Sequence, residues 1–276
     1  MKVRRWSKEA PWHILLILTA VLSLLPFIWM LATAFKPEPE IFAGGLNPLP
    51  AVPTLANFRF VMERVPLFRY FANTLLAAVL ITGLKMVTSI LAAYGFTRFR
   101  FRGREFIFYL CLVSIFVPVQ VTMLPNYLLI SHLGWLNSFA GLVIPQLADA
   151  MGIFLLRQSI RTVPVSLFEA ARIDGAGHLA VLRRVLLPAI KPAVVALAIL
   201  FFINAWNEYY WPLLVLNDKS MYTLPLALQM FTNQEGGTAW GVMMAAASLT
   251  ALPPLVVYLL TQRYVVDSFI NSGLKG

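Results

Sequence analysis

The segment EAARIDGAGHLAVLRRVLLP, from Glu169 to Pro188, carries carboxylates and arginines that can form ion pairs and hydrogen bonds in water. It lies between two apolar runs, which are typical of membrane spans. A bilayer interior penalises charged groups, whereas a protein partner in water can pair with them. The segment is therefore predicted to bind another protein outside the membrane. An amphipathic helix lying in the membrane interface is the alternative.

Two short helices joined by a glycine turn are predicted in this region. Ser166 stands three residues before Glu169, which is the spacing of a capping box. The residues that follow favour a helix: Ala170, Ala171 and Arg172. Gly175 is expected to end this helix in the left-handed conformation. A second helix, at roughly 179–187, is expected to stop at Pro188.

Charged side chains inside apolar runs form a second group of candidates. Lys85 lies mid-way along one run, Asp149 lies in another, and Glu208 lies near the end of a third. Such residues mark solute pathways or buried ion pairs by default. A lysine near mid-membrane costs about 3 kcal/mol unless it is paired or hydrated. An ion pair with Asp149 or Glu208, a transported anion, a snorkelling side chain or a misplaced span boundary would each account for Lys85.

Polar and aromatic residues surround Glu208. They are Asn204, Trp206, Asn207 and Tyr210. Asn204 and Glu208 are four residues apart and would share one face of a helix, with Asn207 on a neighbouring face. Sugar hydroxyls need hydrogen bonds and sugar rings stack on aromatic side chains, so this set and the charged residues above are predicted to line a substrate pathway. Hydrogen bonding between helices is the alternative for both asparagines.

Several activities lack the residues that they would need. The three histidines and the single cysteine, Cys111, lie in separate segments, so no metal cluster and no nucleophile–base pair of a membrane enzyme is predicted. No G-x-x-x-x-G-K-[ST] sequence occurs, so the chain is predicted to bind no ATP or magnesium and to be no enzyme by itself. The net charge of +10 comes from basic segments between spans, which argues against a nucleic-acid partner.

Apolar runs of membrane-spanning length must position these residues. Of 276 residues, 59% are hydrophobic and 12% are charged, about half the charged fraction of a soluble domain. The sequence therefore predicts an all-α polytopic membrane protein with six transmembrane helices. The predicted spans are about 12–35, 70–97, 105–124, 138–156, 190–212 and 241–262. The section 36–69 is rich in proline and glycine and is predicted to be an aqueous loop, while prolines within spans predict kinks.

The distribution of lysine and arginine predicts the orientation. With the N-terminus inside the cell, 16 of the 22 basic residues fall on the cytoplasmic side, five fall outside and Lys85 falls within a span. Cytoplasmic loops carry an excess of basic residues. The chain is therefore predicted to lie in the cytoplasmic membrane, the inner membrane of a cell that has two, with both termini in the cytoplasm. The charged segment at 157–191 is then cytoplasmic as well.

Several motifs together match a known pattern. The first set is Glu169, Ala170 and Ala171, then Gly175, Val185, Leu187 and Pro188. The others are RIDGA (172–176), WNEYYWPLL (206–214), YTLPLAL (222–228) and GLKG (273–276). The first set resembles the EAA loop of permeases of ATP-binding-cassette (ABC) importers, although Val185 stands where that family usually has isoleucine. The others resemble the carbohydrate-uptake branch, which implies the type I importer permease fold and a likeness to permeases for glycerol-3-phosphate, maltose and related oligosaccharides.

The resemblance implies a transport complex. Such a permease pairs with a second, homologous permease subunit in membrane lipid, and two copies of an ABC ATPase subunit bind below. An external substrate-binding protein delivers the small-molecule substrate, a carbohydrate or a polyol phosphate, while ATP and magnesium bind to the ATPases. The residues implied to couple to the ATPase are Glu169, Ala170, Ala171, Asp174, Gly175, Leu187 and Pro188. Glu169 would pair with a basic residue of the ATPase cleft, and Gly175 would form the bend.

Three regions follow from these predictions. Residues 1–69 hold the cytoplasmic N-terminus, the first span and the external loop, residues 70–262 form the permease core, and residues 263–276 form a cytoplasmic tail. The tail of maltose-type relatives reaches between the two ATPase subunits. The same contact is implied for Gly273, Leu274, Lys275 and Gly276, with a frayed terminus as the alternative.

A secondary transporter or a channel for a small polar solute is the alternative function. Either would explain the buried charges and the kinked helices. Neither would explain the EAA loop, and neither would need an ATPase.

Overall fold

The computed structural model of the protein describes residues 3–43, 47, 49–231 and 239–273. Within these ranges the regular elements are helices. They are α1 (Val3–Ala34), α2 (Glu38–Ala43), α3 (Ala56–Arg64), α4 (Leu67–Arg98), α5 (Arg104–Val113), α6 (Val119–His132), α7 (Phe139–Val143), α8 (Ala150–Arg161), α9 (Val165–Ile173), α10 (His178–Ala189), α11 (Lys191–Trp206), α12 (Tyr210–Val215), α13 (Leu224–Ala227) and α14 (Trp240–Gly273). The predicted all-α class is confirmed.

Three helices are long and apolar enough to cross a membrane alone. They are Glu9–Ala34 within α1, Leu67–Arg98, and Trp240–Arg263 within α14. They match the predicted first, second and sixth spans. Three bent helix pairs raise the number of spans to as many as six, as predicted: α5 with α6, α7 with α8, and α10 with α11. The section 36–69, predicted to be an aqueous loop, contains the short helices α2 and α3.

The predicted third span is broken, because a proline interrupts it. Pro118 precedes the first residue of α6, and Val117 before it is extended, at φ −80° and ψ 116°. The helical region is disfavoured for the residue before a proline, and at Val117 the chain leaves the helix. A short 3-10 turn carries α5 on to Phe116, and the two helices meet at 101°. The predicted third and fourth spans are thus bent helix pairs, in agreement with the kinks that prolines within spans predicted.

The predicted fourth and fifth spans are broken by side chains that start new helices. Asp149 is the N-cap of α8, and its Oδ1 accepts a hydrogen bond from the Gly152 amide at 2.7 Å. Asp and Asn are preferred at this position. Past the end of α11 at Trp206, Glu208 Oε1 accepts a hydrogen bond at 3.2 Å from the Trp211 amide in the first turn of α12, whose N-cap is Tyr209. The predicted span over 190–212 therefore consists of α11, a break at residues 207–209 and α12.

The chain divides into two compact units. One consists of Met1–Leu67 and Ala227–Leu252, and the other of Phe68–Leu226 and Pro253–Gly276. Inside the first unit, Asn57 is buried and its Nδ2 donates to the carbonyls of Ala34 and Lys36 at 2.9 and 2.8 Å. This amide ties α3 to the end of α1. The region boundaries predicted after residues 69 and 262 remain predictions.

Two apolar cores organise the second unit. One is formed by α4, α8, α9, α10 and α11, and includes Ala93, Leu156, Phe168, Leu186 and Phe201. The other includes Ala77, Ile81, Ile130, Leu142, Trp211 and Val215, from α4, α6, α7 and α12. Both cores use α4, so this helix runs through the whole second unit.

Candidate functional site

The exposed segment between α8 and α11 folds as two short helices on a shared core. Phe168 of α9 and Leu182 and Leu186 of α10 are buried in the first core. Arg98, the last residue of α4, places its guanidinium carbon 3.9 Å from the centre of the Phe168 ring. Tyr94 Oη lies 3.0 Å from His178 Nδ1 at the start of α10. The segment is therefore fixed to the end of α4 and is not a loose loop.

Gly175 ends α9 as predicted. It has φ +76°, a left-handed conformation that glycine adopts without steric cost. The Ala176 amide donates to the Ala171 carbonyl at 2.9 Å, and the Gly175 amide donates to the Arg172 carbonyl at 3.1 Å. This pair of hydrogen bonds is a Schellman motif, which satisfies the last carbonyls of a helix. The turn therefore sets the direction in which α10 leaves α9.

Two local predictions about this segment are wrong. Pro164 precedes the first residue of α9 and no side-chain cap is present, so Ser166 lies inside the helix and forms no capping box. Proline fits before a first helical turn because its missing N–H is not needed there. Pro188 does not stop the second helix, which continues to Ala189. A π turn over Val181–Leu186 precedes this proline, and the Leu187 amide donates to Leu182 five residues back.

The predicted coupling residues differ in how far their side chains are exposed to solvent. Five of them are exposed: Glu169, Ala170, Asp174, Gly175 and Pro188. Ala171 is buried and Leu187 is half-buried, so both contribute packing beneath that surface. Among the described residues neither Glu169 nor Asp174 makes an ion pair. Ile173, beside them, is 86% exposed. Two carboxylates and an apolar side chain are thus presented together, beside the exposed Arg172.

A cavity of about 350 Å³ lies among α4, α6, α8, α11 and α12. Four of the predicted pathway residues line it: Lys85, Asp149, Asn204 and Glu208. Three helix breaks border it, since Val119 follows the first break, Asp149 lies in the second and Glu208 lies in the third. Irregular backbone is tolerated at membrane depth where it is buried in protein or lines an aqueous cavity. The breaks are thus explained by the cavity.

The ion pair predicted for Lys85 is present. Lys85 Nζ lies 3.5 Å from Asp149 Oδ2, and the two side chains are 15% and 24% exposed. The ammonium also lies 5.0 Å from the centre of the Phe201 ring on α11. Because Asp149 Oδ1 is bonded to the Gly152 amide, both carboxylate oxygens are engaged. Of the two predicted partners, Asp149 is the one that the structure pairs with Lys85.

Asn204 and Glu208 come together for a different reason from the one predicted. They do not share a helix face, because α11 ends at Trp206 and Glu208 lies in the break that follows. The break turns the chain so that both residues line the same cavity. The spacing in the sequence therefore predicted that Asn204 and Glu208 lie close together, but not that a helix break brings them together.

Three predicted pathway residues do not line this cavity. Trp206 is fully buried against Phe71 and Phe202. Asn207 is exposed, and its Nδ2 donates to the Ile203 carbonyl at 2.9 Å. Tyr210 is 62% exposed. A role for these three in a substrate pathway stays a prediction that the geometry of this cavity does not support.

Four further polar or aromatic residues line the cavity and were not singled out in the sequence. They are Thr122, Asn126, Gln146 and Trp211. Thr122 and Asn126 are four residues apart inside an apolar run, a spacing that places them on one face of α6 and could have identified them. Trp211 donates from its indole Nε1 to the Gly141 carbonyl at 3.1 Å, which fixes the ring.

The loop after α12 is held by two asparagines. Asn137 has φ +54°, and its Oδ1 accepts from the amides of Asn217 and Asp218 at 2.5 and 2.8 Å. Asn73 on α4 donates to the carbonyls of Ser220 and Tyr222 at 3.0 Å each. The Ser220 amide donates to Asp218, and this hydrogen bond lowers the pKa of the Asp218 carboxyl.

The predicted tail contact falls mostly outside the described part of the chain. Gly273 is the last residue of α14. Leu274, Lys275 and Gly276 lie outside the described residues. Their contact with an ATPase stays a prediction.

Known proteins are similar to this chain in sequence. Residues 85–270 match the family described as "Binding-protein-dependent transport system inner membrane component". The sn-glycerol-3-phosphate transport system permease protein UgpE of Brucella melitensis is 34% identical over 268 residues, covering 94% of this chain and 95% of the relative. The UgpE protein of Salmonella typhi is 34% identical over 267 residues, with the same coverage of both chains.

Solved structures share the fold. A chain of a bacterial ABC transporter involved in the import of the acidic polysaccharide alginate matches with a TM-score of 0.82 and 24% identity, over 91% of this chain and 94% of its own. A chain of the alginate transporter in complex with an alginate pentasaccharide-bound periplasmic protein matches with a TM-score of 0.67 and 17% identity. It covers 94% of this chain and 96% of its own.

Proposed function

The chain belongs to the family of binding-protein-dependent transport system inner membrane components, and we propose that its solute is a carbohydrate or a related polyol phosphate. It is a permease subunit of an ABC importer and is not itself an enzyme. The family and the permease fold that the motifs indicated are confirmed. The solute assignment is supported by the sn-glycerol-3-phosphate named for the relatives and the alginate named for the structural neighbours.

The connection of the exposed segment to the cavity by two helices is the observation that carries the mechanism. α8 begins at the cavity, with Asp149 as its N-cap, and is separated from α9 by three residues. α11 begins one residue after α10 and reaches the cavity at Asn204. At 1.5 Å per residue these helices are roughly 18 and 24 Å long. A displacement of the exposed segment is thus passed along both helices to the cavity.

The exposed segment fits an ATPase as its partner. Glu169 and Asp174 offer carboxylates without ion pairs among the described residues, and Gly175 holds the turn between the helices. In this proposal a basic residue of the ATPase cleft pairs with Glu169. Two ATPase subunits bind ATP and magnesium, and this chain supplies neither a phosphate loop nor a nucleotide site.

The remaining partners follow from the family and from exposed apolar surface. None of the 18-residue apolar window in α1 is buried within the chain, so that surface is free for lipid or for a second permease subunit. An external substrate-binding protein delivers the solute, and the alginate transporter in complex with its pentasaccharide-bound periplasmic protein supports this assignment. The excess of basic residues in segments between spans supports cytoplasmic N- and C-termini.

Co-purification and reconstitution test this function. A tagged copy purified in detergent from its native host should retain a second permease and an ATPase. The complex in proteoliposomes should hydrolyse ATP faster when its loaded binding protein is added and should accumulate solute only with ATP. Solute uptake by this chain alone, driven by an ion gradient, would instead establish a secondary transporter.

A further inference from the structure

The side chains that line the cavity carry more carboxylates than cations. Its charged lining residues are Lys85, Asp149 and Glu208, so one ammonium faces two carboxylates. The ammonium is already paired, 3.5 Å from Asp149 Oδ2. By side-chain charge alone the lining therefore has one negative charge in excess, and interactions between charges are stronger in a low-dielectric surrounding than in water.

Asp149 cannot turn away from Lys85 without breaking the start of a helix. Its Oδ1 accepts from the Gly152 amide at 2.7 Å and forms the N-cap of α8. A phosphate or carboxylate that approached Lys85 would therefore have to compete with an anion that is covalently attached and fixed by a second hydrogen bond. Lys85 is a poor anchor for a transported anion.

Glu208 adds the unmatched charge. It makes no ion pair within the described ranges of the chain, and Oε1 accepts one hydrogen bond, from the Trp211 amide. Its second oxygen makes no hydrogen bond that the described residues supply. A carboxylate in this state repels anions and accepts hydrogen bonds from hydroxyl groups.

The uncharged lining residues suit hydroxyl groups as well. The amides of Asn126 and Asn204 can both donate and accept, and the Thr122 hydroxyl, which donates to the Val119 carbonyl, can accept. The Trp211 ring is fixed by its bond to the Gly141 carbonyl, which gives a rigid aromatic wall. A volume of about 350 Å³ falls at the small end of the range for pockets that bind small molecules.

From these observations we infer that the cavity binds an uncharged, hydroxyl-rich part of the solute, such as one neutral sugar unit, and excludes phosphate and carboxylate groups. The inference rests on the proposed function and narrows its solute class. Lys85 and Asp149 neutralise one another, and Glu208 determines the specificity by repelling anions and accepting hydrogen bonds from hydroxyl groups.

A cysteine in the cavity tests the potential directly. Met123 is an apolar lining residue, and Cys111 is the chain's one cysteine, so Met123→Cys is combined with Cys111→Ser in the complete transporter. The rate of modification of this cysteine is measured with two methanethiosulfonate reagents, one carrying a trimethylammonium group and one carrying a sulfonate group. The background rate of a complex that lacks Met123→Cys is subtracted. Each corrected rate is then divided by the rate at which the same reagent reacts with 2-mercaptoethanol. The cationic reagent should react about tenfold faster or more. Glu208→Gln should reduce that preference and Lys85→Met should increase it, whereas equal rates or an anion preference would overturn the inference.

Protection by matched solutes tests the ligand class. Glucose and maltose should slow the modification, whereas glucose 6-phosphate and glycerol-3-phosphate at the same concentrations should not. Stronger protection by either phosphate, or no protection by any solute, would overturn the inference. Protection by glucosamine but not by glucose would show a cation site and would also overturn it. ATP-driven uptake by the same complex is measured in parallel, so that failure of the cavity assignment is distinguished from failure of the importer assignment.

Discussion

One nitrogen of Arg157 contacts both carboxylate oxygens of Glu105, at 2.7 and 2.8 Å. The Arg157 side chain is 7% exposed and its guanidinium carbon lies 3.8 Å from the centre of the Phe108 ring. This pair joins the start of α5 to the interior of α8. A buried guanidinium that loses its carboxylate is left uncompensated.

Removing only the carboxylate of this pair should destabilise the transporter. Glu105→Gln should lower the melting temperature of the purified complex, because Arg157 stays buried with a weaker partner. Adding Arg157→Met should restore part of the loss, since the buried charge is then absent. A double variant less stable than Glu105→Gln would show that the ion pair does not explain the effect.

Valine at position 175 should uncouple ATP hydrolysis from transport. Gly175 has φ +76°, which a β-branched residue resists, and even alanine should cost about 1–2 kcal/mol there. Gly175→Val should therefore reduce uptake strongly and Gly175→Asn only mildly, at equal expression. Gly177→Ala is the matched control, because Gly177 has φ −70° and open space around it. Wild-type uptake by Gly175→Val would exclude a role of the turn in coupling.

Loss of the exposed carboxylate at position 169 should weaken ATPase docking without affecting insertion. Glu169 is exposed and lies outside the spans, so Glu169→Ala should be produced at the normal level. Binding of the ATPase, measured by titration of the permease pair, should weaken by roughly tenfold, equivalent to about 1.4 kcal/mol. Glu63→Ala on α3 removes a carboxylate on the predicted outer side and should leave this affinity unchanged.

Neutralising Lys85 should leave Asp149 as an unpaired carboxylate. Lys85→Met should reduce the amount of assembled complex, because the pair at 3.5 Å is mostly buried. Adding Asp149→Asn should restore assembly, since asparagine keeps the N-cap of α8 while removing the charge. If the single variant assembles and transports normally, the pair has no structural role. If the double variant assembles less well than Lys85→Met alone, charge balance is not its function.

A methyl group at position 152 should push two helices apart. A Cβ on Gly152 would lie 2.6 Å from Phe201 Cζ and 2.9 Å from Ser89 Oγ. Overpacking of this kind costs about 1–3 kcal/mol, so Gly152→Ala should lower the melting temperature of the complex. Gly95→Ala in α4 meets nothing within 4 Å and serves as the control. Partial rescue by Phe201→Leu would identify the clash as the cause.

Local chemistry made some of this structure predictable. Gly175 was predictable because a helix needs a left-handed residue to satisfy its last carbonyls, and no other part of the molecule takes part. Lys85 was predictable in outline, because an ammonium in an apolar run requires a partner, although the sequence left Asp149 and Glu208 as alternatives. The family came from motifs, and the match over residues 85–270 confirms it.

Other features could not be predicted, because they depend on competing local signals or on contacts between distant residues. Prolines within the spans predicted kinks, but not that the third and fourth spans would each divide into two helices, the second of which begins after Pro118 and Asp149, respectively. The capping box predicted at Ser166 does not form, because Pro164 is the N-cap and the helix has already begun before Ser166. The pair of Glu105 and Arg157 joins residues 52 positions apart, and no local pattern indicates such a contact.

The single residue between α10 and α11 makes α11 a lever arm. Ile190 lies at a corner of 85° between the two helices, and α11 extends from it to the cavity without a further break. With an arm of roughly 20 Å between Ile190 and Asn204, a tilt of about 10° would move Asn204 by about 4 Å, more than the width of a hydroxyl group. A modest rocking of the exposed segment is thereby magnified into a step large enough to open or close one wall of the cavity.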